Sequence, residues 1–286
     1  MTNRPFLFLS GEYKVSLPIV YPKSNWQHSM SANYLDFDAT LHRRNRVEDI
    51  KGIILYADMD NKEIEKHNLH SIIEFNVPCY PDPFLLLEYL NRHKLHKTIL
   101  SEIAGSDNDP EVYNYAESYK NLPELINKKL QNGPLVLKTG LCHRGENKHL
   151  LKSIEDFNQV KPFDSLFTLG PFYIGDSVRV LFIDDKIFVI EVQNDESWIK
   201  NTAGASIILR NQSDCDSRLI DHAKKVKDYL YLDIVGIDYI VNKQDNKIYF
   251  LEANYFPDLN ISDEAVDCAK SFFLKKMDEI EKYYKK

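Results

Sequence analysis

The residues best suited to chemistry fall in three blocks, and the first is a lysine that leads into a basic loop. Pro134-Leu-Val-Leu-Lys138 is followed by Gly140, His143, Arg144, Gly145 and Lys148. A lysine ending a buried strand supplies a compact positive charge, and glycines let backbone N–H groups approach anionic oxygens. That combination suits a polyphosphate. It is not a Walker loop, because the spacing to a Lys-Ser/Thr pair is absent. A solvated surface loop accounts for the same residues, so this block alone decides nothing.

The second block is Gly236-Ile-Asp238, then Leu251-Glu252-Ala-Asn254-Tyr-Phe-Pro257. Asp238 lies inside one apolar run and Glu252 ends the next. Antiparallel pairing through the short turn between them sets the two acids side by side, where they repel unless a cation intervenes. Hard oxygen ligands, with Asn254 as a third, suit Mg²⁺ held jointly with phosphates. Two edge carboxylates facing water are the alternative. The third block runs from Pro171-Phe172-Tyr173-Ile174-Gly-Asp176 to Arg179 and on to Trp198 and Asn201. An arginine in a largely apolar strand needs an anionic partner, and its fork fits a carboxylate or a phosphate. A structural salt bridge meets the same need.

These blocks require elements to carry them. Phe6 to Leu9 and Ile53 to Tyr56 read as short buried strands, being compact apolar runs between polar turns. Asn61 to Ser71 is weakly helical, and Val77 to Pro83, with its prolines, is a crossing segment. Phe84 to Leu90 starts a short helix capped by Asp82. Glu111 to Gln131 reads as helical, Pro134 to Lys138 as a strand, and the stretch from Leu150 as helical again. Val178–Phe182 and Ile187–Val192 form a hairpin through Asp184-Asp185-Lys186. Leu219 to Leu232 has helical spacing, with Leu219, Ala223, Val226 and Leu230 on one face. Strands at Val235–Val241 and Ile248–Glu252 precede a charged helix from Asp263. The first region, about 90 residues, reads as a small α/β domain, and the rest as α+β.

The three blocks, in this order, resemble the ATP-grasp superfamily, in particular the branch with glutathione synthetase, the ribosomal-protein glutamate ligases and synapsin. The matching positions are Lys138, Gly140–Lys148, Arg179-Val180, Trp198–Asn201, Gly236-Ile-Asp238 and Glu252-Ala-Asn254-Tyr-Phe-Pro257. The loop is similar to the synapsin pattern Lys-x-Gly-x-x-His-x-Gly-x-x-Lys. The resemblance covers about residues 75–260 and implies a fold of two α+β lobes clamping ATP, preceded by a small α/β domain. The implied boundaries are 1–93, 94–170 for the lobe with the phosphate loop, and 171–286 for the lobe with the Mg²⁺ site.

The resemblance also implies roles. Lys138 contacts the α/β-phosphates and the 140–148 loop, with Gly140, His143, Arg144 and Gly145, closes over the γ-phosphate. Lys94 is the further phosphate lysine, with Lys97 as its rival. Asp238, Glu252 and Asn254 hold Mg²⁺. Pro171, Phe172, Tyr173 and Ile174 receive adenine through the backbone, and Asp176 touches the ribose. Arg179 and Lys148 offset charge on the transferred phosphoryl group, and Asn201 positions substrate or phosphate. The chain departs from the family at Leu169-Gly170-Pro171, where Glu or Gln is usual, and at Ile199, where a basic residue is common.

The activity so implied is ligation of a small-molecule carboxylate to an amine, the partners being amino acids or peptides, with ATP and Mg²⁺ as cofactors. A nucleotide-binding regulator without turnover and a small-molecule kinase on the same fold are the alternatives. The composition fits a soluble globular protein: of 286 residues 43% are hydrophobic and 28% charged. A net charge of −7 argues against nucleic acid as partner. Cys79, Cys142, Cys215 and Cys268 have no short paired spacing, so neither a disulfide framework nor a zinc site is expected. No apolar run approaches the length of a membrane span. The expectation is a cytoplasmic protein, and a homodimer is consistent with the branch it resembles.

Overall fold

The computed structural model describes residues 6–10, 29–33, 52–56, 62–76, 78–109, 114–116, 121–139, 147–160, 167–194, 197–199, 205–242 and 244–284. Three sheets organise them. The first is parallel: β1 (Phe6–Ser10) lies between β2 (Ser29–Asn33) and β3 (Gly52–Tyr56), and β4 (Cys79–Tyr80) pairs outside β3. β3 is buried along its whole length, as a parallel strand covered on both faces must be. Ile53 and Leu55 join a core with α1 (Lys62–Phe75) and α2 (Pro83–Tyr89). Ile54 and Tyr56 point the other way, into a core with α7 (Asp263–Tyr284). The expected cap is present: the Asp82 carboxylate accepts the Phe84 N–H at 2.9 Å.

The second sheet is antiparallel, in the order β11 (Ser206–Arg210), β10 (Lys186–Gln193), β9 (Asp176–Ile183), β12 (Ile234–Asn242), β13 (Lys247–Asn254). Period-two alternation divides its side chains between two layers. Val178, Val180, Phe182, Ile237 and Tyr239 pack on α6 (Ser217–Leu230), which buries Leu219, Ala223, Val226 and Leu230. Leu181, Ile183, Phe188 and Ile190 pack on the α7 residues Ala265, Ala269, Phe272 and Phe273. The outer edge of β13 is closed by a short segment rather than a strand. Asp107 bonds the Ile248 N–H through its carboxylate at 2.7 Å, and the Asn108 amide bonds both backbone groups of Phe250. Free sheet edges invite foreign strands, and side chains on the ladder groups close this one.

The third sheet has the order β5 (Asn114–Ala116), β8 (Phe167–Pro171), β6 (Leu135–Thr139), β7 (Lys148–Leu151), and its pairs are antiparallel. Leu135, Leu137, Leu151, Phe167 and Leu169 form its core with α4 (Leu122–Leu130) and Phe157 of α5 (Ile154–Asn158). Two expectations are corrected here. The stretch from Leu150 is not helical at once: Leu150 and Leu151 finish β7 opposite Val136 and Leu135, and the helix waits for the Ser153–Asp156 capping box. Glu111–Gln131 is not one helix, since Asn114–Ala116 is a strand and helix begins at Leu122. Between the second and third sheets lies α3 (Arg92–Glu102), begun by Asn91, whose side chain accepts the Lys94 N–H at 3.0 Å. Among the described residues no helix is long and apolar enough to cross a membrane.

Two outcomes follow from these cores. Phe273 is fully buried and sets its ring edge-on to Tyr56 with centroids 5.6 Å apart. Phe273→Ala should therefore cost about 3–5 kcal/mol in denaturant unfolding. His222 of α6 is also buried, its Nδ1 2.8 Å from the Tyr239 hydroxyl. Burial pushes its pKa down from 6.5 to about 4, against a hydrogen bond to the Ile103 backbone. The unfolded chain thus binds the extra proton first. Stability should be flat above pH 6.5 and fall by up to about 1.4 kcal/mol per pH unit between there and pH 4. Unfolding of His222→Phe across the same range should show a shallower slope.

Candidate active site

Two cross-strand pairs of like charge define the site. On the third sheet Lys138 of β6 stands directly opposite Lys148 of β7. On the second sheet Asp238 of β12 stands opposite Glu252 of β13. Like charges so placed destabilise a sheet unless something compensates them. All four side chains line one cavity of about 390 Å³, so each pair finds the opposite charge across it. Glu252 shows the result. Burial opposes its ionisation, but the charges of Lys138, Lys148 and Arg92, with His96, outweigh burial and hold its carboxyl below the usual range.

Arg179 of β9 is the cross-strand neighbour of Asp238 on its other side. Its Nε donates to Asp238 Oδ1 at 2.6 Å and an Nη donates to Oδ2 at 2.8 Å, a bidentate pair. The carboxylate raises the guanidinium's pKa against the cost of burial. The Asn254 amide nitrogen donates to Asp238 Oδ2 at 3.1 Å. Pairing of β12 with β13 shifts register between Asp238 and Tyr239. The extra residue is Leu251 of β13, so that adjacent Leu251 and Glu252 both line the cavity, while on β12 plain alternation sends Asp238 into it and Tyr239 to α6.

The glycine of Gly236-Ile-Asp238 has a steric reason. A Cβ there would lie 2.9 Å from Pro257 Cβ and 3.3 Å from Arg179 Cδ. Glycine thus lets the turn after β13 and the Arg179 stem pass the same point. Pro257 is held from the first sheet, its carbonyl accepting the Tyr56 hydroxyl.

Oxygen donors from Asp238, Glu252 and Asn254 are the type that a hard dication takes, so the donor set fits Mg²⁺ in kind. It is incomplete in number. Among the described residues no group of three or more His, Cys, Asp and Glu is arranged to hold a metal ion. A cation here must complete its shell with oxygens of a ligand or water.

The other predicted residues are placed as follows. Pro171–Asp176 connects β8 of the third sheet to β9 of the second and does not line the cavity, whereas Ser177 does. This connector adjoins the cavity wall at Trp198, whose ring meets Phe172 edge-on at 6.1 Å. The Phe172 N–H is already donated to the Pro134 carbonyl at 2.9 Å. Tyr173 stacks on Tyr249 at 3.9 Å, and Ile174 is exposed. Gly175 has φ +156°, and a Cβ would lie 2.4 Å from the Val241 carbonyl oxygen, which binds the connector tightly to β12. Lys94 and Lys97 are exposed on α3 and do not line the cavity. The same helix instead directs Arg92 over the Tyr255 ring, 5.4 Å from its centroid, where its charge reaches Glu252. Gly140, His143, Arg144, Gly145 and Asn201 lie outside the described residues.

Sequence reading missed Arg92, although Asn91 as cap and the inward spacing of Arg92, His96 and Ile99 were signals for it. It also missed the apolar walls. Ile240 and Leu251 line the cavity with Trp198, and Ile190, Val192, Ile207 and Ile261 line it elsewhere, beside Asp258. Nothing in their residue types marks them, because only strand register brings them together.

No protein-family model matches the chain, and no curated protein matches it. Solved structures do. D-alanine–D-alanine ligase from Bacillus anthracis superposes with a TM-score of 0.72 at 16% identity, covering 98% of each chain. A RiPP-associated ATP-grasp ligase from Chryseobacterium gregarium, in complex with ADP and a leader and core peptide, gives 0.67 at 12% identity over 95% of this chain and 96% of that one. The D-cycloserine synthetase DcsG gives 0.68 at 10% identity over 95% and 99%. These likenesses span nearly every residue of each protein, and with the two sheets that enclose the charged cavity they show that the chain has the ATP-grasp fold.

Proposed function

We propose that the chain is an ATP-dependent ligase that joins a carboxylate to an amine. The observation that carries this reading is the lysine pair facing the carboxylate pair across one cavity between two sheets. A triphosphate needs cations on one side, and a divalent cation that accompanies it needs oxygen donors on the other. The reading is supported by a fold shared with a D-alanine–D-alanine ligase, a D-cycloserine synthetase and a ligase complexed with a leader and core peptide. Residues 94–170 and 171–286 then act as the two lobes, preceded by 1–93.

Lys138 takes the α/β-phosphates, with Arg92 in the place foreseen for Lys94. Lys148 offsets charge at the γ-phosphate. Asp238, Glu252 and the Asn254 carbonyl would hold Mg²⁺, which supplies charge neutralisation on the phosphoryl oxygens. The Phe172 N–H is donated to Pro134, so in this reading adenine is received through the backbone of Tyr173 and Ile174. Arg179 is committed to Asp238, so it aims that carboxylate and adds positive field at the phosphoryl group.

In the reaction a carboxylate oxygen attacks the γ-phosphorus, the bond to the β–γ bridging oxygen breaks, and ADP leaves an acyl-phosphate. The amine nitrogen then attacks the acyl carbon and loses a proton as the C–O bond to phosphate breaks, giving an amide and inorganic phosphate. The protein's task is positioning, charge neutralisation and exclusion of water, with no covalent nucleophile of its own.

The test is ADP release from Mg-ATP with and without pooled amino acids and short peptides. Release that depends on a pool is expected, and Lys138→Ala should lower kcat/KM by about 100-fold or more. Asp238→Asn with Glu252→Gln should remove the Mg²⁺-dependent part of the ATP-induced rise in Tm and leave the circular dichroism unchanged. An unaltered Mg²⁺-dependent rise in that double variant would sink the metal assignment. No release with any pool, beside an intact rise, would mark a nucleotide binder.

A further inference from the structure

The two edges of the second sheet differ. Asp107 and Asn108 occupy ladder groups along β13. At the opposite edge β11 ends the sheet, and among the described residues no strand pairs with its outer side. Edge strands are commonly blunted by a proline, a bulge or a projecting charge. β11 reads Ser-Ile-Ile-Leu-Arg, has no proline and keeps unbroken register with β10. Its one charge is drawn back over the sheet, where Arg210 bonds the buried carboxylate of Glu191 at 2.8 and 2.9 Å. Ile207 and Leu209 are 61% and 46% exposed. β11 is thus an edge left open to pairing.

Register ties that edge to the cavity. Ile207, Val192, Ser177 and Ile240 are successive cross-strand partners on β11, β10, β9 and β12, and all four line the cavity. The cavity therefore reaches the margin of the sheet along this row and ends there at an exposed isoleucine. The next row on the same face runs from Leu209 through Ile190 to Arg179 and Asp238. Strands lie about 4.8 Å apart, so a strand added outside β11 would stand three spacings, roughly 14 Å, from Arg179. About four or five extended residues, at roughly 3.3 Å each, cover that distance.

An occupant of this edge must carry its own N–H and C=O groups at the strand repeat, which is the chemistry of a peptide. A second copy of the chain has such groups too. Five residues of edge with two exposed apolar side chains, however, fall well short of the roughly 1,200 Å² of a stable interface. A substrate needs only transient pairing. Resting on the ligase reading, we propose that β11 is the docking strand for a peptide substrate. An extended, uncharged segment adds to the free edge and sets apolar side chains at alternate positions beside Ile207 and Leu209. It leads a reacting residue, about four or five positions further on, to the phosphates near Arg179.

Fluorescence anisotropy tests this on the full chain without nucleotide. The probe is fluorescein-Gly-Gly-Val-Ser-Val-Ser-Val-Gly-amide, with copies N-methylated singly along the Val-Ser repeat. The parent probe should bind, and methylation should weaken it roughly tenfold or more at alternate residues only, since alternate N–H groups face β11. Leu209→Lys, which puts a charge on the open edge, should weaken the probe by about tenfold while Mg-AMPPNP binds as before. Leu209 is exposed and does not line the cavity, so the fold should survive, as circular dichroism will show. No binding by the unaltered chain, or N-methyl losses without the alternation, overturns the proposal. So does a dimer in sedimentation velocity that Leu209→Lys separates, which would mark the edge as an interface between copies. Failure of the ligase reading shows separately, as absence of Mg-AMPPNP binding by the unaltered chain, and the nucleotide-free alternation still decides what β11 binds.

Discussion

The opposition of Lys138 and Lys148 to Asp238 and Glu252 constrains everything around it. Neither pair is tolerable alone, because each sets two like charges on directly opposed strand positions. Together they are complementary, which requires the two sheets to stay face to face at that point. The groups that line the cavity include three cations, Lys138, Lys148 and Arg179, and three anions, Asp238, Glu252 and Asp258. Such a cavity is not a simple sink for phosphate. It favours an anion that arrives with its own cation, since phosphate alone would meet three carboxylates and a metal alone three basic groups.

The Arg179–Asp238 pair shows how the sheet sustains this. The pair is part-buried, and removing one partner would leave the other's charge without its bidentate complement. Keeping both means that Asp238 is aimed by two bonds from Arg179 and one from Asn254 before any ligand arrives. The requirement reaches back into the sequence. Gly236 must have no side chain, because Arg179 and Pro257 close over it from opposite directions. Pro257 in turn is tied to Tyr56, so a parallel sheet that contributes no cavity-lining residue still sets the position of the turn bearing Asp258.

Much of this was legible because it is written in local periodicity. The β9–β10 hairpin is two largely apolar runs joined by the polar Asp184-Asp185-Lys186 turn, and α6 repeats apolar residues at helical spacing, so both stand where expected. Asp238 and Glu252 were expected to be neighbours from one short turn, and they are cross-strand partners. What was not legible depends on partners distant in the chain. β5 is three residues long, too short for any period, and exists through pairing with β8. Leu150 and Leu151 look helical until β6 is placed beside them. The basic residue of α3 was misjudged for another reason: lysine was sought by type, whereas helix phase decides. His96 and Ile99 are buried, and the residue four before His96 is Arg92, while Lys94 and Lys97 fall on the outer face.

The back of the sheet completes the logic. Tyr239 follows Asp238, so alternation sends it to the opposite layer, where its hydroxyl meets His222 and its ring lies against Phe250. Phe250 in turn receives His96 of α3 edge-on at 4.9 Å and has its backbone groups closed by Asn108. α3 therefore rests on the strand that ends in Glu252, through a buried aromatic cluster rather than through the charged groups themselves. This arrangement separates two demands that conflict at most active sites. The front of the sheet holds closely spaced charges that favour opening, and the back holds hydrogen-bonded rings whose burial opposes it. Aromatic burial of this extent is worth several kcal/mol, more than a like-charge pair costs, so the front can carry its charges without loss of register.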